Sequence, residues 1–271
     1  VPSFAAAQPG VDRYFVASDG VRLHYLEAGP RDARTIVLVP GWTMPAWIFT
    51  PQIEAFSRDY HVIAFDPRGQ GESDAPEYGY DQDRRGQDLA ELLARLGTQP
   101  VVVLGWSLGV LDTLAYVHRN GEARLAGLVL VDNSVGEEPA PRPRPPRPPG
   151  PREPHDIAMA QFVRSMFRIK PPEDYLDRLT EATLHTPERA ARELLSYPVP
   201  RSYWREAVYA VDRPILYIVR PGFAGQAENL ERNHPLTESV VLPGAGHAMF
   251  VEDPQGFDAM VLSFIRRRIW P

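Results

Sequence analysis

The chain contains no cysteine, which excludes disulfides, thiolate zinc sites and a cysteine nucleophile. No apolar run approaches the roughly 20 residues that a bilayer-spanning helix needs, so no membrane span is expected. Positive charge is in deficit, with 29 Lys and Arg against 35 Asp and Glu, a net charge of −6. A nucleic-acid partner needs a basic surface to neutralise phosphates, and none is expected here. The glycine-punctuated stretch Asp66-Pro67-Arg68-Gly69-Gln70-Gly71-Glu72-Ser73-Asp74 lacks the Lys-Ser/Thr pair of a P-loop. It also lacks the G-x-G-x-x-G order of a dinucleotide site. None of the seven histidines pairs with another at zinc-binding spacing, and no metal or organic cofactor is implied.

The 271 residues suit one α/β core with an insertion. Residues 1–11 read as a leader. Ala5 and Ala7 fit the A-x-A end of a secretory signal, which points to a secreted or periplasmic chain; the other reading is an alanine-rich leader with no targeting role. Arg13 to Ala17 and Val21 to Ala28 alternate apolar and polar residues around Asp19-Gly20, the signature of an antiparallel hairpin. Buried strands are then expected at Thr35 to Val39, His61 to Phe65, Val101 to Leu104, Leu125 to Val131, Pro214 to Val219 and Ser239 to Leu242. Helical periodicity separates the first four of these, which demands a mainly parallel sheet with helices on both faces.

Residues 133–208 interrupt that rhythm. Segment 139–154, rich in proline and arginine, excludes helix or central strand and predicts a semi-rigid polyproline spacer. Short helices are expected after it. The core is thus assigned to 12–132 and 209–271, with 133–208 as a cap over the edge where the strand C-termini gather, which is where open α/β sheets bind ligands.

Chemistry concentrates at Val101 to Gly109, VVVLGWSLG. This G-x-S-x-G run between a strand and a helix puts the Ser107 hydroxyl at the tip of a sharp turn that needs near-absent side chains on both sides. Serine at its own pKa is a poor nucleophile and needs a base with a third group to orient it. His247, in the glycine-rich loop Pro243-Gly244-Ala245-Gly246-His247-Ala248 after the last strand, is the best-placed base.

With these motifs in order, the chain resembles the α/β-hydrolases. The resemblance rests on PGW at 40–42, DPRGQGESD at 66–74, GWSLG at 105–109 and GAGHAMFVEDP at 244–254. It implies the α/β-hydrolase fold, Ser107 as nucleophile, His247 as base and an oxyanion hole from the backbone N–H groups of Trp42 and Leu108. Asp66 and Arg68 would brace their loop. Two departures stand out. Pro40 replaces the family's usual histidine, and the loop after Val219, the usual seat of the acid, reads Arg220-Pro221-Gly222-Phe223-Ala224-Gly225-Gln226, with no carboxylate before Glu228. Some relatives place the acid after the strand that precedes the cap, where Asp132 stands. Asp132 is therefore the preferred acid, with Glu228 as the alternative.

The resulting expectation is a serine esterase acting on a small-molecule ester or acyl substrate. Lactone, thioester, amide and perhydrolase chemistry would share the triad, and a non-catalytic ligand-binding protein is the reading from another class. Dehalogenase and epoxide hydrolase chemistry would need a carboxylate where Ser107 stands. Trp47, Trp106 and Phe223 are candidate substrate contacts.

Overall fold

The computed structural model describes residues 9–142 and 153–271. The Ala5 and Ala7 pair and most of the proline-rich segment lie outside the described residues. Eight strands form one sheet: β1 (Val11–Val16), β2 (Arg22–Ala28), β3 (Thr35–Val39), β4 (His61–Asp66), β5 (Val101–Trp106), β6 (Leu125–Val131), β7 (Ile215–Val219) and β8 (Thr237–Val241). Their spatial order is β1-β2-β4-β3-β5-β6-β7-β8. The β1-β2 and β2-β4 pairs are antiparallel, and every later pair is parallel.

The central strands are aliphatic along their whole length because both sheet faces are covered. On one face Ile36, Leu38, Val102, Leu104 and Trp106 pack with Ile53 and Phe56 of α1 (Thr50–Phe56). On the other, Val37, Val39, Val101 and Val103 meet Leu89 and Leu92 of α2 (Gln82–Arg95) and Val110 and Leu114 of α3 (Leu108–Asn120). Asp81 caps α2 by accepting from the Arg84 N–H at 2.9 Å. The chain leaves β3 toward β4 on one side and returns to β5 on the other, so the sheet's switch point lies between β3 and β5. Ligands bind at the strand C-termini of such a point, and both the Gly41-Trp42 turn and Ser107 emerge there.

Between β6 and β7 lie α4 (His155–Ser165), α5 (Glu173–Thr183), α6 (Glu188–Glu193) and α7 (Arg201–Tyr209). The last of these runs across the expected boundary at 208. Trp204, Ala207 and Val208 of α7 belong to the same apolar cluster as α3, and the His118 and Tyr203 rings stack at 3.9 Å. So α7 packs in the helical layer on the α3 side of the sheet, while Val163 of α4 and Leu176 and Leu179 of α5 belong to the apolar cluster of the opposite face. A further helix, α8 (Ala224–Asn233), has no counterpart in the sequence reading. It buries only Gln226, Ala227 and Leu230, too few apolar residues to show helical periodicity.

After β8 come the short α9 (Met249–Glu252) and α10 (Pro254–Phe264), which a π-helical turn at Ile265–Ile269 continues. Among the described residues no helix is long and apolar enough to cross a membrane. On α10, Asp258 is 8% exposed and accepts from Gln52 Nε2 at 2.9 Å. Burial, aided by the nearby Asp253 charge and opposed by the Gln52 bond, pushes its carboxyl from 3.8 up to about 6. The folded state then binds more protons than the unfolded chain between those values, so this group's stabilisation is complete below 3.8 and is lost as pH rises through about 6. Asp258→Asn keeps an acceptor for Gln52 and removes the buried charge. It is expected to raise the melting temperature by about 3–6 °C at pH 8 and by little at pH 4; a gain of equal size at both contradicts this account.

Candidate active site

β5 delivers Ser107 directly into α3, and the turn is tight enough that Ser107 sits at φ 55°, ψ −119°, a left-handed conformation whose cost is on the order of 1–3 kcal/mol. The flanking glycines are required by contact. A Cβ on Gly105 would lie 2.4 Å from the Gly109 carbonyl oxygen, and one on Gly109 would lie 2.2 Å from that of Val39. Gly109→Ala is accordingly expected to destabilise the fold by about 3 kcal/mol, read by urea unfolding; a loss below about 1 kcal/mol would contradict this close approach.

His247 comes from the loop between β8 and α9. Its Nε2 is 2.9 Å from Ser107 Oγ and its Nδ1 is 2.6 Å from Asp132 Oδ2. A carboxylate only accepts, so the network assigns the proton to Nδ1 and leaves Nε2 to accept the Ser107 O–H. The imidazole is thereby placed to take the hydroxyl proton. The loop is held from below: the Trp106 indole N–H donates to the His247 carbonyl at 2.9 Å, and the Gly246 N–H donates to Glu252 Oε2 at 2.8 Å.

Asp132 follows β6 at φ 54° with its side chain fully buried. Its Oδ1 accepts from the Arg220 backbone N–H at 3.0 Å, and its Oδ2 accepts from Arg220 Nε at 2.6 Å as well as from His247. Burial favours the neutral acid, but the bonds and charges of His247 and Arg220 outweigh it and hold the carboxyl below its usual range. Glu228 is exposed on α8, and the Nδ1 atom it would need is bonded to Asp132.

Trp42 and Leu108 both border the cavity beside Ser107. Leu108 is the first residue of α3, where a backbone N–H has no partner within the helix. The β3 turn abuts the serine so closely that a Cβ on Gly41 would lie 3.0 Å from Ser107 Cβ. Gln70 Nε2 fixes that turn by donating to the Gly41 and Met44 carbonyls, each at 2.8 Å. Behind it, Asp66 accepts from the Ala46 and Glu72 N–H groups, and buried Arg68 pairs with Asp88. Among the described residues no group of three or more His, Asp or Glu side chains is arranged to hold a metal ion.

The cavity over Ser107 measures about 920 Å³. Phe223 lines it, together with Leu111, Phe162, Met166, Leu194 and Leu195. The other two expected substrate contacts are corrected. Trp106 is 1% exposed, beneath the site, with its ring 5.1 Å from that of His247. Trp47 packs edge-on against Tyr175 and under the Arg178 guanidinium, outside the lining. Sequence reasoning missed Asn133, whose amide donates to the Ser107 carbonyl at 2.8 Å, and Arg220. The signal for Arg220 was present: a cation stands at the start of the loop where a carboxylate was sought.

The span from α4 through α6 is tied to the catalytic face. His185 bonds the Ser73 carbonyl at 2.8 Å, Thr186 donates to that of Gly69 at 2.7 Å, and the Trp42 indole donates to that of Ala191 at 2.7 Å.

The Alpha/beta hydrolase family model matches residues 36–260. A non-heme chloroperoxidase from Streptomyces lividans is 39% identical over 115 residues, 42% of each chain. The bifunctional esterase/perhydrolase DCH of Acinetobacter calcoaceticus is 34% identical over 119 residues, 44% of this chain and 43% of that one. The chain thus matches less than half the length of these curated relatives. The crystal structure of an esterase from Rhodococcus sp. ECU1013 superposes with a TM-score of 0.78 at 26% identity, covering 95% of this chain and 99% of the other. The family match runs from β3 through the serine elbow and the histidine loop into α10, and on that ground the chain belongs to the alpha/beta hydrolase family.

Proposed function

We propose that this chain is a serine hydrolase that cleaves a carboxylic ester through an acyl-enzyme. The observation that carries the reading is the unbroken line from Asp132 through His247 to Ser107, with contacts of 2.6 and 2.9 Å. In this reading Ser107 Oγ attacks the acyl carbon while His247 Nε2 takes its proton, and the Trp42 and Leu108 N–H groups hold the oxyanion. Asp132 stabilises the imidazolium that forms. His247 then protonates the departing alcohol and, in the second half, activates the water that releases the acid. The span from α4 through α6 serves as a cap, and its apolar lining with Phe223 favours an apolar acyl or aryl portion.

The names of the relatives favour one further reading. Hydrogen peroxide attacking the same acyl-enzyme in place of water would make it a perhydrolase, in line with the esterase/perhydrolase relative. A panel of neutral aryl esters, lactones and an epoxide, each with and without peroxide, tests the proposal. Ester turnover is expected, with peracid formed only when peroxide is added. Epoxide opening without ester turnover would refute the reading.

A further inference from the structure

Arg220 is held differently from Arg68 and Arg85, two buried arginines that hold buried carboxylates. Arg68 is fully buried and commits Nε and Nη2 to Asp88, and Arg85 is 1% exposed and commits both to Asp112 with Nη1 on Gln70. Those two are braces, with their donors consumed by the protein. Arg220 gives Asp132 only its Nε and its backbone N–H. Its side chain stays 39% exposed and lines the cavity over Ser107.

Among the described residues the remaining donors of Arg220 have no acceptor suited to them. Nη2 lies 3.4 Å from His247 Nδ1, but that nitrogen carries the proton donated to Asp132, so two donors face each other there. Nη1 has no hydrogen-bond partner among the described residues. Among the described residues that line the cavity, Arg220 is the one arginine or lysine and Asp132 the one acid. The proton that passes from Ser107 to His247 leaves its negative charge on the acyl oxyanion, so Asp132 and that oxyanion balance the imidazolium and Arg220. The free edge of the guanidinium still lacks an acceptor. An anion brought by the substrate and seated on that edge would supply one, and the planar fork of donors suits a carboxylate.

We infer that Arg220 is an anion subsite of the substrate cavity, and that the natural substrate is an ester carrying a carboxylate near the scissile bond. This rests on the proposed ester hydrolysis and names its substrate class. Arg220 is then a specificity-determining residue that acts by seating the anion of the substrate.

The test compares kcat/KM within matched pairs. One arm uses ethyl hemi-esters of straight-chain dicarboxylic acids, from succinic to suberic, against ethyl esters of the neutral acids of the same length. The other uses O-acetyl hydroxy acids against acetates of the corresponding neutral alcohols, so that the two arms place the carboxylate on the acyl or on the leaving side. In the intact protein one arm is expected to favour the anionic member by about 10- to 100-fold, the scale of a charge-assisted contact. Arg220→Gln should bring that ratio to about one and Arg220→Lys should retain part of it, since a ratio within one variant does not depend on how much active protein survives. A ratio near one in the intact protein, or one unchanged by Arg220→Gln, overturns the subsite. Turnover of neutral esters alongside either result leaves the esterase reading standing, whereas failure to cleave any ester of either arm overturns both.

Discussion

Ser107→Ala is expected to lower kcat for ester hydrolysis by about 10⁶-fold with little change in KM, because removing the nucleophile of a coupled triad disables the whole unit. The substitution deletes one oxygen from the tip of a turn whose shape is set by Gly105, Gly109 and the packing of Gly41, so the fold and the cavity should persist. The serine is also the conformationally costly residue of the turn, at φ 55°, and alanine meets the same backbone demand. A circular dichroism spectrum that overlays the parent, together with loss of labelling by a fluorophosphonate probe, would separate loss of chemistry from loss of fold. Retained turnover, or labelling that persists at another residue, would show that Ser107 is not the nucleophile.

The second large effect concerns the acid. Asp132→Asn is expected to cost on the order of 10⁴-fold in kcat. The amide nitrogen would face His247 Nδ1 from 2.6 Å and favour the tautomer that puts the proton on Nε2, where it cannot accept from Ser107. Asparagine also removes the charge that balances both the imidazolium and Arg220, which is 2.6 Å from the same oxygen. Glu228→Gln, by contrast, alters an exposed side chain on α8 and should change kcat by no more than a few-fold. The reverse pattern would return the acid to the β7 loop. Since the Asp132 carboxyl is held below its ordinary range, protonation of this group is not expected to limit the rate near neutral pH.

What the sequence made legible follows from where local chemistry and tertiary packing agree. The strands of the sheet centre are aliphatic runs with both faces buried, and each reads as a strand in isolation. The elbow was legible because its constraint is steric and local: only glycine fits at 105 and 109 with the Val39 carbonyl and α3 so near. Asp132 stood out as the candidate acid through an absence, since β7 is followed by a loop without a carboxylate. It follows β6, the strand next to β7, and from there its carboxylate reaches His247 Nδ1.

The parts that were not legible depend on three-dimensional neighbours. Trp106 alternates inward on β5 and lies beneath His247, so its place next to Ser107 in sequence gave the wrong impression of contact with substrate. Trp47 is held by Tyr175 and Arg178, partners more than a hundred residues away along the chain. Nothing in the spacing of α7 distinguishes a cap helix from one packed on α3; only its neighbours do. Arg220 opens a loop in which the family pattern calls for an acid, and what marks it is instead a cation whose Nε and backbone N–H reach Asp132 across 88 residues of sequence.

The central claim is that Ser107 carries the acyl group between two half-reactions. Intact mass spectrometry of the protein quenched during turnover of an aryl ester with a slowly hydrolysed acyl group tests it most directly. The account predicts a mass increase of one acyl group, mapped by peptide digestion to the segment holding Ser107 and absent in Ser107→Ala. Rapid ester turnover with no covalent adduct, or an adduct on any other side chain, would contradict it.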